Sequence, residues 1–492
     1  MPGVQITTAV RTGPAVTGTA PDSTFFIVGR TERGTDSGAK LVTSLDEYVT
    51  YFGGYVADQY TYSSVRTFFE EGGANCYVSR ASAADGVAAF RDCAAATGGI
   101  KLTAVGKGTW GNNIGILVTV AGGTMAVTLT YGATPVTFFS VTVSSIAELV
   151  TALENDLVAP NYVSVALLAS TNTSTLLTTM ATAGSLATGS DGAIALTDYT
   201  AALGDFTEEL GGGCVAIPGV ATGTIGTDDD VYEAIKTHAM QFNRIGLCSF
   251  ASGASDSAVR TNSTTYGASD NTGHEYLAFF YPWVTIPSGT GVTLTIPPEG
   301  YVAAVRSKTQ NSTGSWKAYA GVASNARFVT GIATAISATT GDLLDAARVN
   351  ALRVISNDIR IYGARSHSTV TAQWRFITAR EVINYVVNQA NIALEPLVFS
   401  TIDGRKTIYA DVTAALQSVL EPVRIAGGLY EGFNAAGKRL DYGYTIKVDD
   451  ALNPASQLET GLIKAQVGIR VSTIGDKITV NIVKSNLTTA LV

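Results

Sequence analysis

Charge is scarce in this chain. Of its 492 residues 15% are charged, below the roughly 25% usual for soluble domains. That is expected where much surface is buried between subunits, or in a β-rich protein simply short of charge. The net charge of −8 and pI near 5.1 leave no global basic field, so nucleic acid is not expected as a partner. Cysteine is limited to Cys76, Cys93, Cys214 and Cys248, far apart and each in or beside an apolar run. Buried free thiols in a reducing compartment fit that placement better than a disulfide framework or a metal knot. No apolar run approaches the roughly 20 residues that span a bilayer, so direct membrane insertion is not expected. The start, Met1 to Arg11, has no basic stretch followed by an apolar one, and a protein soluble at synthesis is expected.

The motifs of catalysis are also missing. His238, His274 and His367 lack H-x-x-x-H or H-x-x-E-H spacing, and no cysteine pair joins them at metal-ligand distance in sequence. Gly211–Gly213 and Gly53–Gly54 lack the pattern that wraps backbone amides around a phosphate, and read as turns. No G-x-S-x-G elbow accompanies a histidine. Asp228-Asp-Asp230 could hold a cation, but the N-terminus of a helix explains three aspartates without one. No catalytic residue, metal ligand or cofactor is assigned, and the chain is read as a non-enzyme.

What is present is an interrupted α/β rhythm. Thr24-Phe-Phe-Ile-Val28 and Asn75-Cys-Tyr-Val-Ser79 are short, nearly all-apolar strands, separated by a helix from Thr43 or Ser44 and a second from Gln59 to Glu71. Near Gly106 the composition breaks. No lysine or arginine occurs between Lys107 and Lys236, and Ile116–Val120, Met125–Thr130 and Val136–Val143 alternate as strands of a sandwich or small barrel. After Gly192 the rhythm returns. Cys214–Pro218, a helix from Asp228 to Phe242 and Arg244–Phe250 predict parallel pairing, followed by a strand at Tyr276–Tyr281 and a helix opened by Pro297 and Pro298. Towards the C-terminus a strand-like Asp358–Arg365 leads into an amphipathic helix with Phe376, Ala379, Ile383, Val386, Val387 and Ala390 on one side and Glu381, Asn384 and Asn388 on the other. A further helix at Ile408–Leu420 and strands at Tyr442–Val448, Gly461–Val471 and Lys477–Val483 complete the chain.

The fold class is therefore α/β (α+β) and multidomain. An α/β core is split by an inserted β-rich, sandwich or barrel-like domain, and a C-terminal α/β assembly domain and extended terminal arms follow. The expected divisions are 1–21 (arm and linker), 22–106 and 192–345 (core), 107–191 (insertion), 346–485 (C-terminal domain) and 486–492 (arm). Gly3–Val10 is a β-prone stretch cut off from the first core strand by a Gly/Pro/Thr-rich linker. An isolated strand cannot satisfy its own N–H and C=O groups, so it adds to another subunit's sheet, pairs within its own chain, or frays.

Several blocks, in order, resemble one family. "FFIVGRTERG", "LVTSLDEYVTYFGG", "VRTFFEEGGANCYVSR", "GTWGNNIGILVTV", "IPPEGYVAAV", "IYGAR" with "WRFITAREVINYV", and "NPASQLETGLIKAQVGIRVS" are similar to the corresponding segments of contractile-tail sheath proteins, the subunits that sleeve the tail tube of myophage-like particles and related injection machines. The resemblance implies a homo-oligomer of stacked sixfold rings in a helical sheath around a tail tube protein, bounded by baseplate and tail terminator proteins. It also implies residence in the virion tail after assembly in the host cytoplasm. It implies inter-subunit strands at Val4, Gln5, Ile6, Thr7, Thr8, Ala9 and Val10, and at Lys477, Ile478, Thr479, Val480, Asn481, Ile482 and Val483 with Leu487. Candidate tube-facing charges are Arg375, Arg380, Glu381, Asp411, Glu421 and Arg424. Two other readings compete: a β-rich virion or secreted protein whose charge-poor insertion binds a receptor or glycan, and an α/β enzyme.

Overall fold

The computed structural model describes residues 22–220, 228–269, 272–288 and 291–476. Its centre is an eight-stranded sheet of β1 (Phe25–Gly29), β2 (Lys40–Val42), β3 (Cys76–Arg80), β4 (Cys214–Ala216), β5 (Ile245–Ser249), β6 (Leu277–Tyr281), β7 (Val349–Ile355) and β8 (Asp358–Tyr362). The order is β8-β7-β6-β5-β4-β1-β3-β2. Six strands from β3 to β7 run parallel, and β2 and β8 pair antiparallel at the two edges.

The inner strands β1, β4, β5 and β6 are buried along their whole length because both faces are covered. Phe25 and Ile27 point into one core with Val65 and Phe68 of the Thr61–Glu70 helix and Tyr301 and Val305 of the Glu299–Ser312 helix. Phe26 and Val28 point into the other with Val231, Ile235 and Ala239 of the Asp228–Gln241 helix. The parallel pairing expected from Cys214 onwards is present, with Cys214 opposite Ile245 and Gly246 opposite Leu277. The Leu45–Phe52 helix starts where its capping signal lies: the Glu47 N–H donates to Ser44 Oγ at 3.2 Å, and the Glu47 carboxylate accepts from the Thr43 N–H at 2.8 Å. Gly53, at φ 83°, ends it.

The inserted module is a two-sheet structure closed by a helix. Gly184–Ser185, Ile114–Ala121, Thr124–Tyr131 and Val136–Val143 form one sheet, and Phe90–Ala94, Gly99–Ala104 and Val163–Leu167 the other. Val118, Val127 and Phe139 share a core with Ile100 and Leu102, plugged by Leu149 and Leu153 of the Ile146–Asn155 helix. Bridges from Val87 to Ser190 and from Phe90 to Ala187 extend the module's core back to about residue 87, so the division at 107 cuts through it. The module is moored to the central sheet by polar contacts. The Tyr131 hydroxyl donates to Glu32 at 2.7 Å. The Arg33 guanidinium lies 4.1 Å from the Tyr162 ring centroid and donates to the Val49 and Thr50 carbonyls at 2.8 Å.

Candidate assembly surface

The C-terminal region is a thin layer on a helix pair. The Ile377–Leu394 and Thr407–Ile425 helices pack together, and Val382, Val386, Leu420 and Val423 make a small core with Leu429. Two antiparallel strands, Tyr444–Lys447 and Gln466–Ile469, lie on it. Their alternation sets the orientation: Tyr444, Ile446, Val467 and Ile469 face the helices, while Thr445, Lys447, Gln466 and Gly468 are exposed. The sheet has two strands, so among the described residues each keeps one edge without a strand partner. A two-stranded sheet is marginal by itself, and its free N–H and C=O groups are a template for another strand.

Apolar side chains stay in water around this sheet. Phe399, Ile425, Tyr430, Phe433 and Leu440 are exposed. Ile425, Leu429, Tyr430 and Phe433 line an open groove of about 570 Å³ with Arg424 and Ser472.

The expected tube-facing charges separate into two groups. Arg375 and Asp411 are exposed, and Arg375 pairs with Asp476 at 2.9 Å. Glu421 and Arg424 are half-buried at the edge of the sheet. Arg424 pairs with Glu421 and Glu431, and the Tyr444 hydroxyl donates to Glu421 at 3.0 Å. The hydrogen bonds from Arg424 hold the Glu421 carboxyl below the usual range.

Arg380 and Glu381 are interior, a correction to the helix phase read from the apolar stripe. Glu381 is 1% exposed and faces Arg306, itself fully buried on the Glu299–Ser312 helix. Arg306 Nε donates to Oε1 at 2.7 Å and Nη2 to Oε2 at 2.6 Å. Burial pushes the Arg306 guanidinium down in pKa, but the facing carboxylate outweighs it and holds the ion charged. Gln310 donates to Oε2 at 2.8 Å. Arg380 donates to Asn384 Oδ1 at 2.8 Å and lies 4.3 Å from the Tyr276 ring centroid. Neither charge is available to a partner. The residues expected in terminal strands, Val4 to Val10, Lys477 to Val483 and Leu487, lie outside the described residues.

The cysteines and histidines weighed for chemistry are buried. All four cysteines are free and buried, and burial pushes the Cys93 and Cys214 thiols up to about 11. Nδ1 of His274 and Nδ1 of His367 lie 3.0 Å apart in the core, and His238 Nε2 lies 2.8 Å from Arg244 Nη1. Burial drives His238 and His367 down to about 3, keeping them neutral. Among the described residues there is no cluster of three metal-ligating side chains, and no helix is long and apolar enough to cross a membrane.

Asp22 and Arg306, which adjoin Glu381, were not singled out from the sequence, and Asn388 was read only as part of its helix's polar side. A lone arginine after the apolar run Tyr301-Val-Ala-Ala-Val was the one legible sign that a buried anion would face it.

No protein-family model matches this chain and no curated protein does. Solved structures do. A sheath tail protein from Listeria innocua superposes with a TM-score of 0.61 at 15% identity, covering 88% of this chain and 90% of that one. The helical sheath of the anti-feeding prophage in its contracted state gives 0.56 at 17%, over 98% and 99%. A sheath tail protein from Desulfitobacterium hafniense gives 0.55 at 14%, over 91% and 94%. The chain has the fold of the contractile-tail sheath proteins.

Proposed function

We propose that this chain is a sheath subunit of a contractile tail or injection device, polymerising as stacked rings around a tail tube and contracting by rigid-body rearrangement. The observation that carries the reading is the two-stranded sheet at Tyr444–Lys447 and Gln466–Ile469, mounted on a helix pair with neither outer edge paired to a strand among the described residues. A strand supplied by another copy satisfies those edges at little cost, because backbone pairing is indifferent to side chains. The β-prone Val4–Val10 segment and the Lys477–Val483 segment with Leu487 are the strands assigned to that role. Such tethers keep subunits linked while the folded bodies shift, and the 12–21 linker supplies the slack. Arg375, Asp411, Glu421 and Arg424 are assigned to the tube side; baseplate and terminator proteins bound the sheath.

Electron microscopy of the full-length chain and of a variant lacking residues 1–21 tests this. Striated hollow tubes are expected from the full chain, and dispersed, folded subunits from the truncated one. Tubes of unchanged length and order from the truncated chain would refute the donated N-terminal strand. A chain that stays dispersed even on a preformed tube and baseplate would refute the sheath reading itself.

A further inference from the structure

Residues 1–21 enter the fold at Asp22, which is held from three sides. Its backbone carbonyl accepts a hydrogen bond from Arg306 Nη1. Its Oδ1 accepts from Asn388 Nδ2 at 3.0 Å. Against its third side lies Gly212, where a Cβ would fall 2.1 Å from Asp22 Oδ1 and 2.3 Å from Asn388 Nδ2, so no larger residue fits without displacing the contact. Asp22 is 4% exposed, and Oδ2 is buried with no hydrogen-bond partner. The same guanidinium that grips the Asp22 carbonyl makes the bidentate pair with Glu381. Arg306 belongs to the central body; Glu381 and Asn388 belong to the helix that carries the two-stranded sheet.

We infer that Asp22 fastens the base of the N-terminal segment to the seam between the 299–312 and 377–394 helices, so that a displacement of that segment is delivered to the seam. The geometry sets the order of events. A pull arriving from residue 21 meets Asp22 before it meets β1, which begins at Phe25. Moving Asp22 strips a hydrogen bond from Arg306 and disturbs a fully buried ion pair, where any loss of geometry is costly. The inference rests on the reading of residues 1–21 as a tether. On that reading, the strand a subunit gives and the sheet edge on which it receives one are joined through Arg306.

The fastening also has a charge imbalance. Arg306 faces two carboxylates, Asp22 and Glu381. Gln310 on the first helix, Asn388 and Tyr385 on the second, and Cys214 and Tyr319 around them bring no second cation. Burial raises the Asp22 carboxyl from 3.8 to about 6. An acid raised in the folded state binds its proton there at a pH where the unfolded chain has released it. Stability is therefore gained as pH falls from above about 6 towards 3.8.

Hydrogen exchange on the dispersed, full-length protein tests the fastening without requiring assembly. In Asp22→Ala, amides across 380–388 are expected to exchange about tenfold faster or more, with 114–143 unchanged. Deleting residues 1–21 while keeping Asp22 is expected to leave 380–388 protected. Full protection in Asp22→Ala, or equal loosening on deletion of 1–21, would overturn the inference. Asp22→Asn keeps the acceptor for Asn388 and serves if the alanine variant fails to fold. Its unfolding midpoint is expected to lose part of the rise that the parent shows between about pH 8 and about pH 5; identical pH profiles would also overturn it. Tube formation enters none of these readouts, so failure of the sheath reading and failure of the fastening are separable.

Discussion

The central sheet and the C-terminal layer use the same residue types and reach opposite ends. In the sheet, six parallel strands are flanked at each end by an antiparallel strand and covered by helices on both faces, and Phe25, Phe26, Phe279 and Phe280 are buried almost completely. In the C-terminal layer, one helix pair carries two strands whose outer edges have no strand partner among the described residues, and Ile425, Tyr430 and Phe433 are exposed. The first region buries most of its apolar side chains within itself; the second leaves several of its own exposed. The contrast is one of packing: a well-buried body carries a thinly packed layer.

Truncation is the bluntest way to break the contrast. Phe280→Ala, at 1% exposure in the sheet core, is expected to destabilise the dispersed chain by about 3–5 kcal/mol, whereas Ile446→Ala in the half-buried layer costs about 1–2 kcal/mol. Urea unfolding of both variants checks this. Equal losses would mean that the layer is as well packed as the sheet. Next in size is the joint between the two regions. Glu381→Gln keeps the shape but takes from Arg306 the carboxylate of its bidentate pair, for an expected loss of about 3 kcal/mol. A larger loss of signal from the C-terminal helices than from the module would locate the damage at the seam.

The smallest effect concerns a carboxyl inside the well-buried body. Glu299 is buried with Oε2 unpaired, and burial raises it from 4.5 to about 7 despite a hydrogen bond from Ser249. The folded form holds the proton over a range in which the unfolded chain has lost it, so stability rises as pH falls from above about 7 towards 4.5. Glu299→Gln is expected to be the more stable protein by about 2 kcal/mol at about pH 8, with the advantage shrinking in acid. Thermal unfolding across pH reads this directly, and a constant difference between the two proteins would show that another group carries the slope.

Much of the fold was legible because its signals are local. The inner strands Phe25–Gly29 and Leu277–Tyr281 are apolar runs, Ser44 with Glu47 marks a helix start, and the module strands alternate over eight residues. The module's second sheet was not read, since Phe90-Arg-Asp-Cys-Ala mixes charges into a short strand, and Val163–Leu167, which pairs with the middle strand Gly99–Ala104, lies far along the chain. The Ile146–Asn155 helix carried a readable signal that went unused, a Ser145 cap and Ile146, Leu149 and Leu153 on one face. The site was less legible than the fold. Glu381 and Asn384 looked like the wet face of their helix because polar residues usually are. The cation that lets Glu381 go inside sits 75 positions earlier in sequence, beyond the reach of any periodicity.

The position of β1 has a consequence for how the chain comes to be folded at all. Phe25 pairs on one side with Cys76 and on the other with Cys214. This strand therefore stays half-paired until the whole inserted module has been synthesised behind it. Such long-range parallel pairing is slow. The module, whose core closes within residues 87–190, can form while the first strand waits, and the centre of the molecule is among the last parts to be finished.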